Sequence, residues 1–154
     1  MYSGALLVHS WLRWAVLIVG IVAVVRGIAG WTGKRPWLRA DDRTGYWFAM
    51  LLDVQMLLGL LLYFALSPFT RQAMSDFGAA MQNSGLRFWA VEHLLGMVIA
   101  ITLAHVGRAR VKKATDAVRK HKLSAIFLGL ALLAIAASIP WPGMPNGRPL
   151  LRIW

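Results

Sequence analysis

The chain has 154 residues, of which 58% are hydrophobic and only 15% are charged, a composition more apolar than that of ordinary soluble domains. The formal net charge is +11, but the basic residues bunch into short segments between apolar runs, a pattern that disfavours nucleic-acid binding. The lack of cysteine excludes disulfides, thiolate metal sites, iron–sulfur clusters and covalent haem attachment.

Four apolar stretches are long enough, or nearly so, to cross a bilayer core about 30 Å thick as helices. We predict spans at 5–28, 46–67, 86–106 and 123–139. The first stretch has no basic segment ahead of it and contains Arg13, so we expect a retained helix rather than a cleaved signal peptide. Because the connections are short, we predict one domain over residues 1–154, with an all-α fold: an integral membrane four-helix up-down bundle.

Basic residues are divided unequally between the two sides of this bundle. Eleven lie in the loops after the first and third spans, namely Lys34, Arg35, Arg39, Arg43, Arg108, Arg110, Lys112, Lys113, Arg119, Lys120 and Lys122. Three lie on the other side, namely Arg71, Arg148 and Arg152. The positive-inside rule therefore predicts that both termini face the outer, periplasmic side of a bacterial cytoplasmic (inner) membrane.

Two segments on the outer side have patterns of their own. Residues 69–83 carry apolar side chains near helical spacing, which predicts a short helix lying in the membrane interface. The tail 140–154 is rich in proline and carries two tryptophans, which predicts an irregular segment anchored at the lipid headgroups. Five tryptophans close to span ends or in the tail fit an aromatic belt at the membrane interfaces, namely Trp31, Trp37, Trp47, Trp141 and Trp154.

Ionisable residues inside a bilayer are costly and usually face partners within the bundle. At 1.5 Å per residue from the middle of each predicted span, Arg13 and Glu92 both fall roughly 6 Å outward of the midplane. We therefore predict an Arg13–Glu92 ion pair. The same calculation places His9 about 12 Å and His93 about 5 Å outward, a difference that a modest tilt would remove.

A haem held between two imidazoles needs one histidine from each of two facing helices at matching depth. His9 and His93 meet this requirement better than any other pair on nonadjacent spans, so we predict that they ligate the metal of a b-type haem. Arg13 lies one turn beyond His9 and could hold a haem propionate or Glu92. The competing interpretation is that His9 is an interfacial aromatic and that Arg13 and Glu92 only join two helices.

Two further histidines, His105 and His121, are candidates for a second haem near the cytoplasmic surface. However, His93 and His105 are twelve residues apart, which turns the helix by about 120° and makes a stacked haem column on one helix difficult. His121 lies within a basic segment, where contact with solvent or lipid headgroups is the more usual role. In the second span, Asp53 and Gln55 could hydrogen-bond a quinone headgroup, line a proton path or bridge helices.

Several motifs in combination resemble a family of small bacterial four-helix membrane proteins described as cytochrome b-like. They are HSWLRW at 9–14, DVQMLLGLLLYF at 53–64, LRFWAVEHLLGM at 86–97, HVGRARVKKA at 105–114, KHK at 120–122 and SIPWP at 138–142. The resemblance covers nearly the whole chain. It implies a b-type haem, or descent from a haem-binding bundle, with His9 and His93 as the ligand positions.

We expect a membrane electron-transfer protein that exchanges electrons between quinol and an outer redox partner. The alternative is a haem-free accessory subunit of a larger respiratory or photosynthetic membrane complex. No hydrolase triad, metalloprotease motif or phosphate-binding loop is present, so an electron carrier or complex subunit is favoured over a stand-alone enzyme. The expected partners are the lipid bilayer and other membrane subunits or redox proteins, and not nucleic acid.

Overall fold

The structure, a computed structural model, describes residues 1–151. Within them every regular element is helical, and no strand is present. Four segments are long and apolar enough to cross a membrane: Tyr2–Thr32, Arg39–Leu66, Ser84–Lys113 and Ala117–Ser138, of 31, 28, 30 and 22 residues. The prediction of an all-α protein is confirmed for the described residues, as is that of four helices long and apolar enough to span a membrane. Arg152 and Trp154, assigned to the outer tail and the aromatic belt, lie outside the described residues.

All four helical segments extend beyond the predicted spans, mainly into the basic loops. Helix α1 covers Tyr2–Thr32, α2 covers Arg39–Leu61 and continues as a π-helical turn at Leu62–Leu66, and a later helix runs to Lys113. Hydropathy misses these extensions because charged residues break the apolar pattern while remaining good helix formers. The start of α2 is fixed by Asp41, whose Oδ2 accepts a hydrogen bond from the Leu38 N–H at 2.8 Å, as in a capping box.

Two short helices connect the second and third spans, α3 at Pro68–Ser75 and α4 at Phe77–Gln82, and a third, α5 at Ser84–Arg87, is the first turn of the third span. The side chains of Ser67, Asp76 and Asn83 each accept a hydrogen bond from the first turn that follows, which is the usual N-cap arrangement. The predicted helix within 69–83 is therefore present, as two helices interrupted at Asp76. Its placement in the membrane interface stays a prediction.

A second π-helical turn, Phe88–Glu92, leads directly into α6, which covers His93–Lys113; α7 then covers Ala117–Ser138. Such turns leave some carbonyls without their usual helical partners and often occur at functional sites. The Tyr63 hydroxyl donates a hydrogen bond of 2.8 Å to one carbonyl in this turn, that of Ala90. The two π-helical segments are thus joined to each other beside His93.

Helix α7 packs against α1 and α6, and α2 also packs against α1 and α6. The core between them contains Val16, Phe48, Leu52, Ala104, Leu128, Ala131 and Ile135. Close approach depends on glycine: a Cβ added to Gly27 would lie 2.9 Å from the backbone nitrogen of Ala125, and one added to Gly107 would lie 2.4 Å from the Phe127 Cβ. Small residues at helix contacts are how membrane helices pack closely.

The outward faces of the long helices carry many exposed apolar side chains, including Ile18, Leu57, Phe64, Leu95 and Leu133. Apolar surface on this scale is compatible with contact to a lipid bilayer. Beyond α7, residues 140–151 form no helix, which confirms the predicted irregular tail over its described part. Its first tryptophan, Trp141, donates a hydrogen bond of 2.8 Å to the Ala136 carbonyl and so holds the tail against α7.

Candidate functional site

His93 is held at the start of α6 by a contact with α7. Its Nδ1 lies 2.7 Å from the carbonyl oxygen of Ser138. Because a carbonyl can only accept, Nδ1 carries the proton, and Nε2 keeps its lone pair when the ring is neutral. A backbone carbonyl bound to the far nitrogen is the usual support of a metal-ligating histidine.

Gly96 makes this contact between α6 and α7 possible. A Cβ at Gly96 would lie 1.8 Å from the Oγ of Ser138, so any side chain there would push α7 away. The Ser138 hydroxyl instead turns back and donates to the Ala134 carbonyl at 2.8 Å. Because Gly96 has no side chain, α7 approaches α6 closely enough for the Ser138 carbonyl to reach His93, which lies one turn before Gly96.

His9 projects from α1 toward the same region. Its backbone carbonyl accepts a hydrogen bond of 3.0 Å from the Gln55 side-chain amide, and Gly59 lies beside its ring, with an added Cβ 3.4 Å from Cε1. Among the described residues, His9 Nδ1 and Gln55 Oε1 are buried without a hydrogen-bond partner. Unsatisfied buried polar atoms are costly, so His9 and Gln55 could both form a further hydrogen bond with a polar group bound beside them.

The two imidazole rings lie in an edge-on, T-shaped arrangement, with their centroids 6.4 Å apart and their planes at 67°. Two metal–nitrogen bonds of about 2 Å, plus roughly 1 Å from each bonded nitrogen to its ring centre, give a separation of about 6 Å. The observed spacing therefore matches two imidazoles that share one metal ion. It also shows that His9 and His93 reach a common depth. The third span runs to residue 113, so its middle shifts and His93 lies about 8 Å, rather than 5 Å, from it.

Three cavities of about 70, 40 and 80 Å³ each touch both rings. They open in different directions: one toward Arg13 and the tail, one deeper toward Ile101, and one toward Tyr2 and Phe69. Space therefore surrounds the histidine pair on several sides, as a flat macrocycle between the rings would require. Met97 borders the first two cavities, and a flexible methionine adapts readily to the shape of a ligand.

Arg13 lies at the mouth of this site but does not pair with Glu92, so that prediction was wrong. Its Nη2 donates to the Leu150 carbonyl at 2.8 Å, and the Trp14 indole donates to the same oxygen at 3.0 Å. Glu92 pairs instead with Arg87, five residues earlier, at 2.6 Å. The π-helical turn explains the exchange, because its wider winding brings residues i and i+5 together.

The tail contributes a second arginine that sequence reasoning assigned only to topology. The Arg148 guanidinium lies 4.9 Å from the Phe69 ring centre and 5.2 Å from that of Trp89, and it borders two of the three cavities. Neither Arg13 nor Arg148 has a carboxylate partner among the described residues. Two cations at the mouth of the cavities can bind carboxylates of a ligand.

The other predicted haem ligands, His105 and His121, make contacts in separate places. His105 Nε2 lies 2.7 Å from the Asp53 carboxylate, and both side chains are about half exposed. His121 is buried against Gly30 and Trp37, with ring centroids 4.8 Å apart in the pair with Trp37. The structure thus brings together His9, His93 and Arg13 but gives each of the other two histidines its own surroundings.

Sequence reasoning missed three supporting residues: Ser138, Tyr63 and Arg148. Ser138 acts through its backbone carbonyl, the Tyr63 hydroxyl donates to the backbone carbonyl of Ala90, and Arg148 lies in an irregular segment. No side-chain pattern in the sequence marks contacts of these kinds. Gly96, one turn after His93, was the usable signal, since it marks a close approach of helices. Within residues 1–151 no group of three or more acidic, cysteine or histidine side chains could hold a metal ion. A haem site needs only two histidines from the protein and would not form such a group.

Comparisons with protein-family models, with curated proteins and with solved structures find no match for this chain. The function is therefore argued from the geometry of the site.

Proposed function

We propose that this chain is an integral membrane, b-type cytochrome-like electron-transfer protein that holds one haem between His9 and His93. The observation that supports this most strongly is the 6.4 Å separation of two imidazoles from different helices, within a group of cavities and with one imidazole already oriented by a carbonyl. The basic loops and the resemblance support a multi-pass, up-down arrangement in a bacterial cytoplasmic membrane, with both termini on the outer side.

Each residue of the site has a distinct role in this proposal. His93 would hold the haem iron through Nε2, because Ser138 keeps the proton on Nδ1, and His9 would supply a second imidazole from α1. Arg13 and Arg148 would bind the propionates, while Trp89 and the apolar cavity walls would exclude water. When bound, haem supplies reversible one-electron transfer, and a quinol dissolved in the bilayer is the expected electron donor.

The test is an absorption spectrum of the purified, haem-reconstituted full chain, oxidised and then reduced. We expect the reduced-minus-oxidised bands of a low-spin b haem at one haem per chain. His9→Ala and His93→Ala should each lose these bands, because one imidazole cannot hold the low-spin, six-coordinate state. Normal bands in either single variant would refute the ligand assignment.

His105→Gln serves as the matched control, since it also removes one imidazole from the same bundle. Its side chain is half exposed and bonded to Asp53, so we expect the haem content and the bands to remain at the wild-type level. A fall to half the wild-type haem content in this variant would instead indicate the second haem that sequence reasoning considered.

A second candidate function, a haem-free accessory subunit of a larger membrane complex, is favoured by the His105–Asp53 pair. These side chains are 53% and 45% exposed on α6 and α2, at positions flanked by the exposed apolar residues Val54 and Val106. Lipid cannot satisfy such polar atoms, whereas a neighbouring subunit could. Under this alternative the protein carries no haem, and a His105→Gln, Asp53→Asn variant leaves its complex in native gels of solubilised membranes.

A further inference from the structure

A separate cavity lies at the other end of α1. It has a volume of about 240 Å³ and is bordered by the last turns of α1, the loop 33–38, the start of α2 and His121 of α7. Three basic or potentially basic side chains line it, namely Arg26, Arg35 and His121, together with one acid, Asp41. It shares no residue with the cavities around His9 and His93.

The charges of this cavity do not cancel. Arg26 Nη2 lies 2.8 Å from Asp41 Oδ1, and the other Asp41 oxygen accepts the Leu38 N–H, so the carboxylate is fully used. Arg35 is exposed and, within residues 1–151, its guanidinium has no hydrogen-bond or ion-pair partner. One positive charge therefore remains available, which matches the single negative charge of a phosphodiester.

The inner wall of the cavity is the imidazole of His121, which is only 1% exposed. Its Nε2 lies 3.4 Å from the Pro36 carbonyl, and its Nδ1 is buried without a hydrogen-bond partner among the described residues. The ring fits only because Gly30 has no side chain, since a Cβ there would lie 2.2 Å from Nδ1. A polar group with unused bonding capacity thus lines the same cavity as the free arginine.

An apolar path leads from this cavity along the outer face of α1. Val25 borders the cavity and is 57% exposed, and Ile18, Ile21 and Val22 are exposed further along the same helix. Acyl chains would lie along such a face, whereas inorganic phosphate would gain nothing from it. The path favours a lipid over a free anion.

We propose that this cavity binds the phosphate of an anionic phospholipid between Arg26 and Arg35, with the acyl chains along the exposed face of α1. Basic pockets between membrane helices on the cytoplasmic side recognise lipid headgroups in this way. The proposal does not depend on haem binding, because the two sites use different residues.

The test measures lipid retained by the detergent-purified full chain after incubation with equal amounts of phosphatidylglycerol and phosphatidylcholine, by native mass spectrometry. We expect phosphatidylglycerol to be retained preferentially and Arg35→Gln to lower its retention about fivefold, the effect of one basic residue at an anionic surface. The matched control is Arg43→Gln, which removes an equal charge from an exposed position of α2 that does not line the cavity. Equal losses in the two variants would overturn the proposal, because they would indicate general surface charge.

A second variant tests the space rather than the charge. Ala29 lines the cavity, so Ala29→Leu should fill part of it and lower phosphatidylglycerol retention while every charge remains. Full retention would overturn the proposal. Added inorganic phosphate at 50-fold excess over lipid, on the order of millimolar, should leave retention unchanged, since bound lipid also buries its acyl chains; displacement of the lipid would assign the cavity to free phosphate instead.

Discussion

A histidine packs between helices at each end of α1, but the two surroundings differ. At one end, His9 and His93 stand 6.4 Å apart with cavities on several sides, and His93 has one nitrogen fixed by a carbonyl. At the other, the single His121 ring is only 1% exposed, packs against Gly30 and Trp37, and borders the cavity beside Arg35. Two imidazoles with cavities around both are suited to share a metal, whereas one tightly packed ring mainly stabilises the fold and forms a wall of the cavity beside it.

The largest effects are expected when the close helix contact at each end of α1 is filled. Gly96→Val and Gly30→Val would both force a side chain into a neighbour, at 1.8 Å from Ser138 Oγ and 2.2 Å from the His121 ring. We expect each to lower the free energy of unfolding by about 3 kcal/mol, the upper range for overpacking. Only Gly96→Val displaces the carbonyl that orients His93, so only it should lose haem.

The measurement is haem per folded chain, after the unfolded fraction has been removed by size-exclusion chromatography. Gly129→Ala is the matched control, because an added Cβ there would lie 4.0 Å from its nearest neighbour, Val24 Cγ1. Equal haem loss in Gly30→Val and Gly96→Val would show that the two ends of the bundle are not independent.

A smaller effect should separate the histidines by their contribution to stability without haem. His121→Ala removes a ring that is only 1% exposed and packed against Gly30 and Trp37, and should cost about 3 kcal/mol. The His9 ring is less buried and borders three cavities, so we expect His9→Ala to cost about 1 kcal/mol. The free energy of unfolding of both haem-free variants can be compared by denaturation of the detergent-solubilised protein with SDS. A larger loss of unfolding free energy for His9→Ala would mean that His9, and not His121, is the histidine that mainly stabilises the fold.

The smallest effect concerns the tail across the mouth of the His9–His93 site. Trp14→Phe keeps an aromatic ring but removes one of the two donors to the Leu150 carbonyl. Loss of one hydrogen bond, about 1 kcal/mol, should raise chymotryptic cleavage after Leu151, the exposed residue that follows this carbonyl, about fivefold if the tail opens faster than it is cut. Trp47→Phe, at an exposed position of α2, is the control and should cleave at the wild-type rate. An unchanged rate for Trp14→Phe would mean that this bond does not hold the tail.

Hydropathy and the positions of the two histidines were enough to predict four long helices and the meeting of His9 with His93. Both follow from regular helix geometry, which sequence spacing describes well. The Arg13–Glu92 pair failed because depth was counted along a regular helix, while the chain forms a π-helical turn immediately before His93. The contribution of Arg148 was unpredictable for another reason: irregular segments have no periodicity, so their contacts with distant residues leave no pattern in the sequence.

The hydrogen bonds from Arg13 and Trp14 to Leu150 join the first long helix to a segment that follows the last one. Chains are synthesised from the N-terminus, and earlier segments fold first. In chain order, His9 and His93 can therefore meet well before residues 140–151 leave the ribosome, and the mouth between them closes last. This gives an interval during biosynthesis in which a large planar ligand can be inserted without displacing any finished part of the molecule.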